Sequence, residues 1–292
     1  MKSLKLFLPC VALLFFILTG CSKINKESSI PKVPDEAARI YACETGDIGY
    51  PQLFEGEMHN KLVNLLIENW SICSNNANEV ASEIKRILKN DGNSIITANS
   101  MDFNEFKSIV DSTDLAFFIS TFEPENFNFE QHVDNIGLSP GLSLRLKELV
   151  SLMERVDYSL GVENIQTAIC EYYEQNKNGL NQNDLVYFGA ATDVAMFSTQ
   201  LWLDNNLGGE GKYFEFQNII SNMCGESTQE RGFSWWKGII LADAIGLVTA
   251  ATISVINSGG ATAVPNPLFG GLPSASVVRL VGGVAASVTK AL

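Results

Sequence analysis

Residues 238–292 constrain this chain more than any other stretch, because they carry only three charged side chains: Asp243, Arg279 and Lys290. In the first half of that tail Gly238, Ala242, Gly246, Ala250, Ser254 and Ser258 recur every fourth residue. On a helix this spacing makes one slowly precessing ridge with almost no side-chain bulk, and such a ridge lets a second backbone come close. A run rich in glycine and proline follows (Gly259, Gly260, Pro265, Pro267, Gly270, Gly271, Pro273), and a second helix is expected to begin near Ser274. The tail therefore reads as a Gly/Ala-rich antiparallel helical hairpin. Pairing the two arms sets Asp243 near Thr289 and Lys290, which would neutralise it. The same pairing sets Arg279 opposite Ile253, where it needs solvent, a lipid headgroup or an acid from the rest of the chain.

Two solvents suit such a hairpin. Residues 238–256 are nineteen long, close to the span of a bilayer, and Trp235, Trp236 and Lys237 stand at their entrance as membrane-interface residues do. Small-residue ridges are also how helices pack within membranes. Against this, Asp243, Thr249, Thr252, Ser254 and Asn257 dilute the apolarity, and glycine and alanine contribute little transfer energy. The reading adopted is a close-packed hairpin belonging to the folded body, with Gly238, Ala242, Gly246 and Ala250 as its packing ridge; insertion into a bilayer is the alternative.

The other end of the chain, MKSLKLFLPCVALLFFILTGCS, places Lys2 and Lys5 ahead of an apolar run that ends in small residues and a cysteine. That is a secretory signal, and Leu18-Thr19-Gly20-Cys21 resembles the bacterial lipobox. The resemblance implies cleavage after residue 20 and acylation of Cys21, with palmitate or a similar chain. Two or three acyl chains make a stable anchor where one does not. Residues 22–34 are polar with two prolines and read as a tether. Ser22 behind the acylated cysteine favours the outer membrane, by analogy with Gram-negative sorting.

Without the leader the chain has 33 acidic residues and 18 basic ones (the 20 of the whole sequence less Lys2 and Lys5), a net charge of −15. Residues 21–237 hold 32 of the acids and 16 of the bases, a net of −16, so the body at 35–237 is acidic and repels phosphate backbones; nucleic acid is not an expected partner. Within this body the apolar spacing is helical. Met58, Leu62, Leu65 and Leu66 form one stripe, Val80, Ile84, Ile87 and Leu88 another. Asp102 with Glu105 is an acidic capping box ahead of Phe106, Ile109 and Val110. Ser139-Pro140 caps a helix carrying Leu142, Leu146, Leu149, Val150 and Met153. Further helices are expected over residues 162–174, 183–203 and 212–223. Residues 94–98 and 115–122 are rich in strand-favouring types and suit either buried helical turns or a minor strand pair. The fold class is mainly α: a helical-bundle body with the C-terminal hairpin.

Chemistry is sparsely signalled. The two histidines each have a carboxylate two residues away, so Glu57, His59, His132 and Asp134 could supply two nitrogens and two oxygens to a metal. Residues two apart on a helix point about 200° apart, however, which opposes convergence. Gly208-Gly209-Glu210-Gly211-Lys212 fails as a phosphate loop, since its first glycine would fall at Asn206 and its hydroxyl position is Tyr213. No nucleophile elbow or zincin motif occurs. No cofactor is expected, and no catalytic residue is assigned. Cys43, Cys73, Cys170 and Cys224 have no metal-site spacing; an oxidising compartment allows one or two disulfides with three full connectivities, and free buried thiols are the alternative.

The lipobox, Gly56-Glu57-Met58-His59-Asn60-Lys61-Leu62, and Trp235-Trp236-Lys237 followed by Ala242-Asp243-Ala244-Ile245-Gly246 together resemble envelope lipoproteins of Bacteroidota. The resemblance covers short segments near both ends and carries no functional residue with it. In composition the tail is also similar to those of some bacteriocins and membrane-active toxins. The expected role is thus a non-catalytic one in binding or envelope organisation, with the membrane as partner through the N-terminal lipid and a protein or a bilayer at the hairpin. The alternatives are a membrane-active effector whose hairpin inserts, and a metal-dependent hydrolase using the two histidines.

Overall fold

The computed structural model describes residues 55–99, 101–123, 127–225, 234–257 and 274–292, with no side-chain description for 234–235, 253–257 and 274–275. The leader, Cys21, the tether, Cys43 and the Gly/Pro-rich turn lie outside the described residues. Among the described residues there are twelve α-helices, two short 3-10 turns and no strand. In chain order the helices are α1 (Glu55–Asn69), α2 (Ala77–Asp91), α3 (Asn93–Ala98), α4 (Phe103–Ser112), α5 (Leu115–Phe122) and α6 (Phe129–Asn135). They continue with α7 (Pro140–Arg155), α8 (Val162–Asn176), α9 (Gln182–Trp202), α10 (Lys212–Cys224), α11 (Ser234–Asn257) and α12 (Ser274–Ala291).

The outer helices follow their capping chemistry. Asn76 accepts from the N–H groups of Asn78 and Glu79 to start α2, and Asp102 does the same with Asn104 and Glu105 to start α4. Ser139 caps α7 through the Leu142 N–H with Pro140 at the first helical position. Each side chain satisfies donors that a helix start leaves unpaired. The two strand-like runs are helical, as α3 and α5. In α5, Leu115, Phe118, Ile119 and Phe122 are buried, so contacts with the core override strand preference there. The short helix α6, begun by Asn128, was not expected; with only seven residues and one buried side chain, Val133, it leaves little periodic signal.

α11 and α12 form the hairpin, and they are the middle of the molecule. α11 packs on α12, α9 and α7, while α12 packs on α1, α4 and α5. Their contact is made by small residues. A Cβ on Gly246 would come within 2.6 Å of the Ala286 Cβ, and one on Gly282 within 2.3 Å of the Ala250 Cβ. These pairs run in opposite directions along the two helices, which is the antiparallel register expected from the sequence. From Ile239 to Ala251 every residue of α11 is buried, and so is nearly all of α12 from Ser276 to Ala291. No helix among the described residues is long and apolar enough to cross a membrane.

Cys73, in the α1–α2 connection, is disulfide-bonded to Cys224 at the end of α10. Cys170 is disulfide-bonded too.

Candidate functional site

An interior this apolar can hold polar groups only where they meet one another, and they meet at two places along α1. The spacing of Glu55 and His59, four residues apart, puts both on the face of α1 that meets α12.

At the start of α1 the Glu55 carboxylate takes the Arg279 guanidinium through both Nε, at 3.0 Å, and an Nη. Arg279 also donates to Ser276 Oγ at 2.8 Å, and its Cζ lies 5.8 Å from the centre of the Tyr187 ring. Both partners of the ion pair are under 5 % exposed. An acid from the body therefore meets the arginine of the tail. One residue on, the Gly56 N–H donates to Asp193 Oδ2 at 2.8 Å. Burial pushes the Asp193 carboxyl up to about 8, opposed by that N–H and reinforced by the charges of Glu55 and Glu57.

One turn further along, four helices converge on Asp243. The Trp202 Nε1–H of α9 donates to Asp243 Oδ2 at 2.9 Å. His59 of α1 points Nε2 at Asp243 Oδ1, 3.8 Å away. The hydroxyls of Ser198 on α9 and Ser287 on α12 face the same carboxylate without completing a well-shaped hydrogen bond to it. Burial raises the Asp243 carboxyl above its ordinary value, while His59, the two hydroxyls and Trp202 favour its charged form. On its other side the His59 Nδ1 lies 3.3 Å from Asn60 Oδ1, and Asn60 Nδ2 donates to the Phe197 carbonyl at 2.8 Å. The absence of bulk at Gly283 allows the close fit. A Cβ there would stand 3.2 Å from the Asp243 carbonyl oxygen and 3.6 Å from the His59 ring.

Histidine, aspartate and serine are the residue types of a hydrolytic triad, but the arrangement is different. In a triad the carboxylate holds one imidazole nitrogen while the other faces the nucleophile. Here the imidazole and both hydroxyls turn to one carboxylate. His59, Ser198, Trp202, Asp243 and Ser287 are each 0 % exposed. The two best-formed surface depressions, of about 430 and 390 Å³, are lined by Ile72 to Arg86 of the α1–α2 corner and by Phe127 to Glu154 beside α6 and α7; neither includes a member of the cluster.

No family model, curated protein or solved structure matches this chain. Its site has to be read from its own geometry.

The four candidate metal ligands are not brought together. Glu57 pairs with Lys61 one turn on, and Asp134 pairs with Lys147 of α7 at 2.7 Å. His132 places Nε2 2.9 Å from Thr249 Oγ1, with burial holding its pKa below the ordinary value, and His59 faces Asp243. Among the described residues no group of three or more His, Cys, Asp or Glu side chains is placed to hold a metal. The reason is the one that opposed convergence: residues two apart on a helix diverge, so each histidine and its nearby acid leave in different directions.

Asp243 does not pair with Lys290; the residues of α12 that stand against it are Gly283 and Ser287. Its carboxylate turns sideways to α1 and α9, while Lys290 Nζ stands 5.6 Å from the centre of the Phe127 ring. Trp236 is 7 % exposed and packs edge-on against Tyr213 and Phe214. Lys237 donates to the Glu154 carbonyl at 2.5 Å and lies over the Tyr158 ring. The Trp235 side chain lies outside the described residues. Of the ridge, Ala242, Gly246 and Ala250 are covered by protein, whereas nothing stands within 4 Å of where a Gly238 Cβ would be.

Glu55, Asp193, Ser198, Trp202 and Ser287 escape a reading of the sequence alone. Asp193 has a signal, being the lone acid between Phe188 and Trp202 in an apolar helix, as Asp243 is in the tail. Glu55 has none, because an acid in the first turn of a helix is ordinary on dipole grounds alone.

Proposed function

We propose that this chain is a lipid-anchored protein of the bacterial cell envelope, held through Cys21 at the outer membrane, with a non-catalytic role in binding or envelope organisation. The observation that carries the non-catalytic part is the sealed state of the convergent cluster: a substrate has no route to a carboxylate, imidazole and hydroxyls that are all fully buried. The lipid anchor rests on the lipobox at residues 18–21. The surface left to partners is acidic, which suits proteins or cationic groups and disfavours nucleic acid.

The covered ridge supports a hairpin that serves the body over one that inserts into a bilayer. Extracting the interior arms would leave Glu55, His59 and Trp202 without their partners on the hairpin, each at the cost of an orphaned buried group.

Labelling cells with a radioactive fatty acid and fractionating them tests the anchor. The wild-type chain is expected to carry label and sediment with membranes, and Cys21→Ala to lose both; an unlabelled wild-type chain in the soluble fraction overturns the reading. Purified non-acylated protein added to dye-loaded liposomes separates the alternative. Leakage that disappears when residues 238–292 are removed would establish the inserting effector in its place.

A further inference from the structure

Six cysteines occur in the sequence, at positions 10, 21, 43, 73, 170 and 224. Cys73 and Cys224 are bonded to each other, and Cys170 is disulfide-bonded as well. The partner of Cys170 is therefore Cys10, Cys21 or Cys43. On the lipid-anchor reading, on which this elimination rests, Cys10 leaves with the leader and the sulfur of Cys21 carries lipid. Neither then keeps a thiol to oxidise.

The surroundings of Cys170 point the same way. It stands partly buried on α8, one turn before Tyr173 and so on the same face of the helix. The Tyr173 ring lies 5.4 Å from that of Phe188 on α9. Next to Phe188 is Tyr187, whose ring meets Arg279, and Arg279 holds Glu55 at the start of α1. Cys170 is thus a short run of side-chain contacts from the place where the chain enters α1. Cys43 precedes Glu55 by 12 residues, which reach up to roughly 40 Å at about 3.3 Å each. Cys21 precedes it by 34. Because the cost of closing a flexible loop rises as 3/2 of the logarithm of its length, chain length alone favours Cys43 over Cys21 about fivefold.

We infer that Cys43 is bonded to Cys170, and that this bridge on α8, ahead of the start of α1, is where the lipid anchor takes hold of the body. The bond forms when the two thiols pass two electrons and two protons to the disulfide of an envelope oxidoreductase, which is left as a dithiol. The envelope is the compartment in which such bonds form and persist. The leash from Cys21 to the body is then 22 residues, up to roughly 70 Å when extended. A chain held only from Glu55 onward would have a leash of 34 residues, up to roughly 110 Å.

Peptide mapping of the full chain purified from cells, with free thiols alkylated and no reductant present, tests the pairing by mass spectrometry. The peptides holding Cys43 and Cys170 are expected as one linked species, beside Cys73 linked to Cys224. An alkylated Cys43 or Cys170, or Cys170 linked to any other cysteine or to a second chain, overturns the inference. The Cys43–Cys170 species beside an alkylated, lipid-free Cys21 upholds the pairing and strikes the anchor alone, whereas a Cys21–Cys170 species strikes both. The attachment point is read in a chain given a specific protease site between residues 44 and 54. After the cut, the body should stay with the membranes until a reductant releases it; release by the cut alone overturns the attachment through α8.

Discussion

The hairpin and the helices that surround it are held together by opposite means. On the outside, α2 and α4 are amphipathic, capped by their own side chains, and joined by ion pairs in water such as Lys89 with Asp111 at 2.7 Å. Inside, α11 and α12 have no polar face to offer. They touch through Gly246 on Ala286 and Ala250 on Gly282, and Asp243 and Arg279 are buried against α1 and α9. Exposed ion pairs contribute little because water competes for both partners. A buried pair makes its stability depend on both partners being present, since removing one strands the other in a medium that cannot solvate it. The interior should therefore be brittle and the rim tolerant.

The largest effect expected on this contrast comes from Arg279→Ala, which leaves Glu55 buried without its cation. The loss should be about 3–5 kcal/mol, read from the midpoint of urea unfolding. Replacing both partners, as Glu55→Gln with Arg279→Met, should recover much of it. If the single substitution costs no more than an exposed one, the interior pair is not holding the hairpin.

Asp193 gives a pH dependence of defined sign. Its carboxyl titrates at about 8 in the folded chain and near the ordinary value of about 3.9 when unfolded. A pKa raised on folding contributes stability that is fully present below the unfolded value and is lost as pH rises through the folded one. Between about pH 4 and pH 8 the wild-type chain should thus lose stability on the order of a few kcal/mol relative to Asp193→Asn, since a tenfold change in acid strength corresponds to about 1.4 kcal/mol. Asp243 acts in the same direction, while His132, whose pKa is lowered by burial, acts in the opposite one as pH falls. The difference between wild type and Asp193→Asn isolates the one group, and a flat difference curve would refute its burial.

Two glycines of one ridge sharpen the comparison further. Gly246→Val drives a branched side chain into Ala286 and should cost about 1–3 kcal/mol or more. Gly238→Ala meets nothing within 4 Å and should stabilise the chain by about 0.5–1 kcal/mol through helix propensity alone. Equal effects at the two positions would mean that the ridge is not a contact surface. At the small end, Asp134→Asn removes only an exposed partner of Lys147, and no measurable change in Tm is expected.

What could be read from the sequence divides along the same line. The rim was legible because its signals are local: Asn76, Asp102 and Ser139 announce helix starts, and the spacing of Val80, Ile84, Ile87 and Leu88 announces a buried face. Even the hairpin's register could be derived, since backbone proximity follows from where the glycines and alanines fall. The partners of its charges could not. The spacing pairs Asp243 with Lys290, but which way a side chain leaves its helix is settled by a third and a fourth helix, and Asp243 turns to His59 and Trp202. The meeting of Glu55 with Arg279, 224 residues apart in the chain, has no local signature at all. The Gly56–Leu62 and Ala242–Gly246 segments that stood out in the sequence do meet, as His59 and Asp243, although neither segment alone indicates the other.

The central claim is that the hairpin is the core on which the body is built, and amide hydrogen exchange of the native chain tests it most directly. Exchange protection follows the local free energy of opening. Amides of residues 239–251 and 280–289 should be the slowest in the molecule, together with those of α1 and α9, and should open only with global unfolding. Hairpin amides that exchange fast while α2 and α7 stay protected would contradict the account, and would mark the hairpin as an appendage that the body does not need.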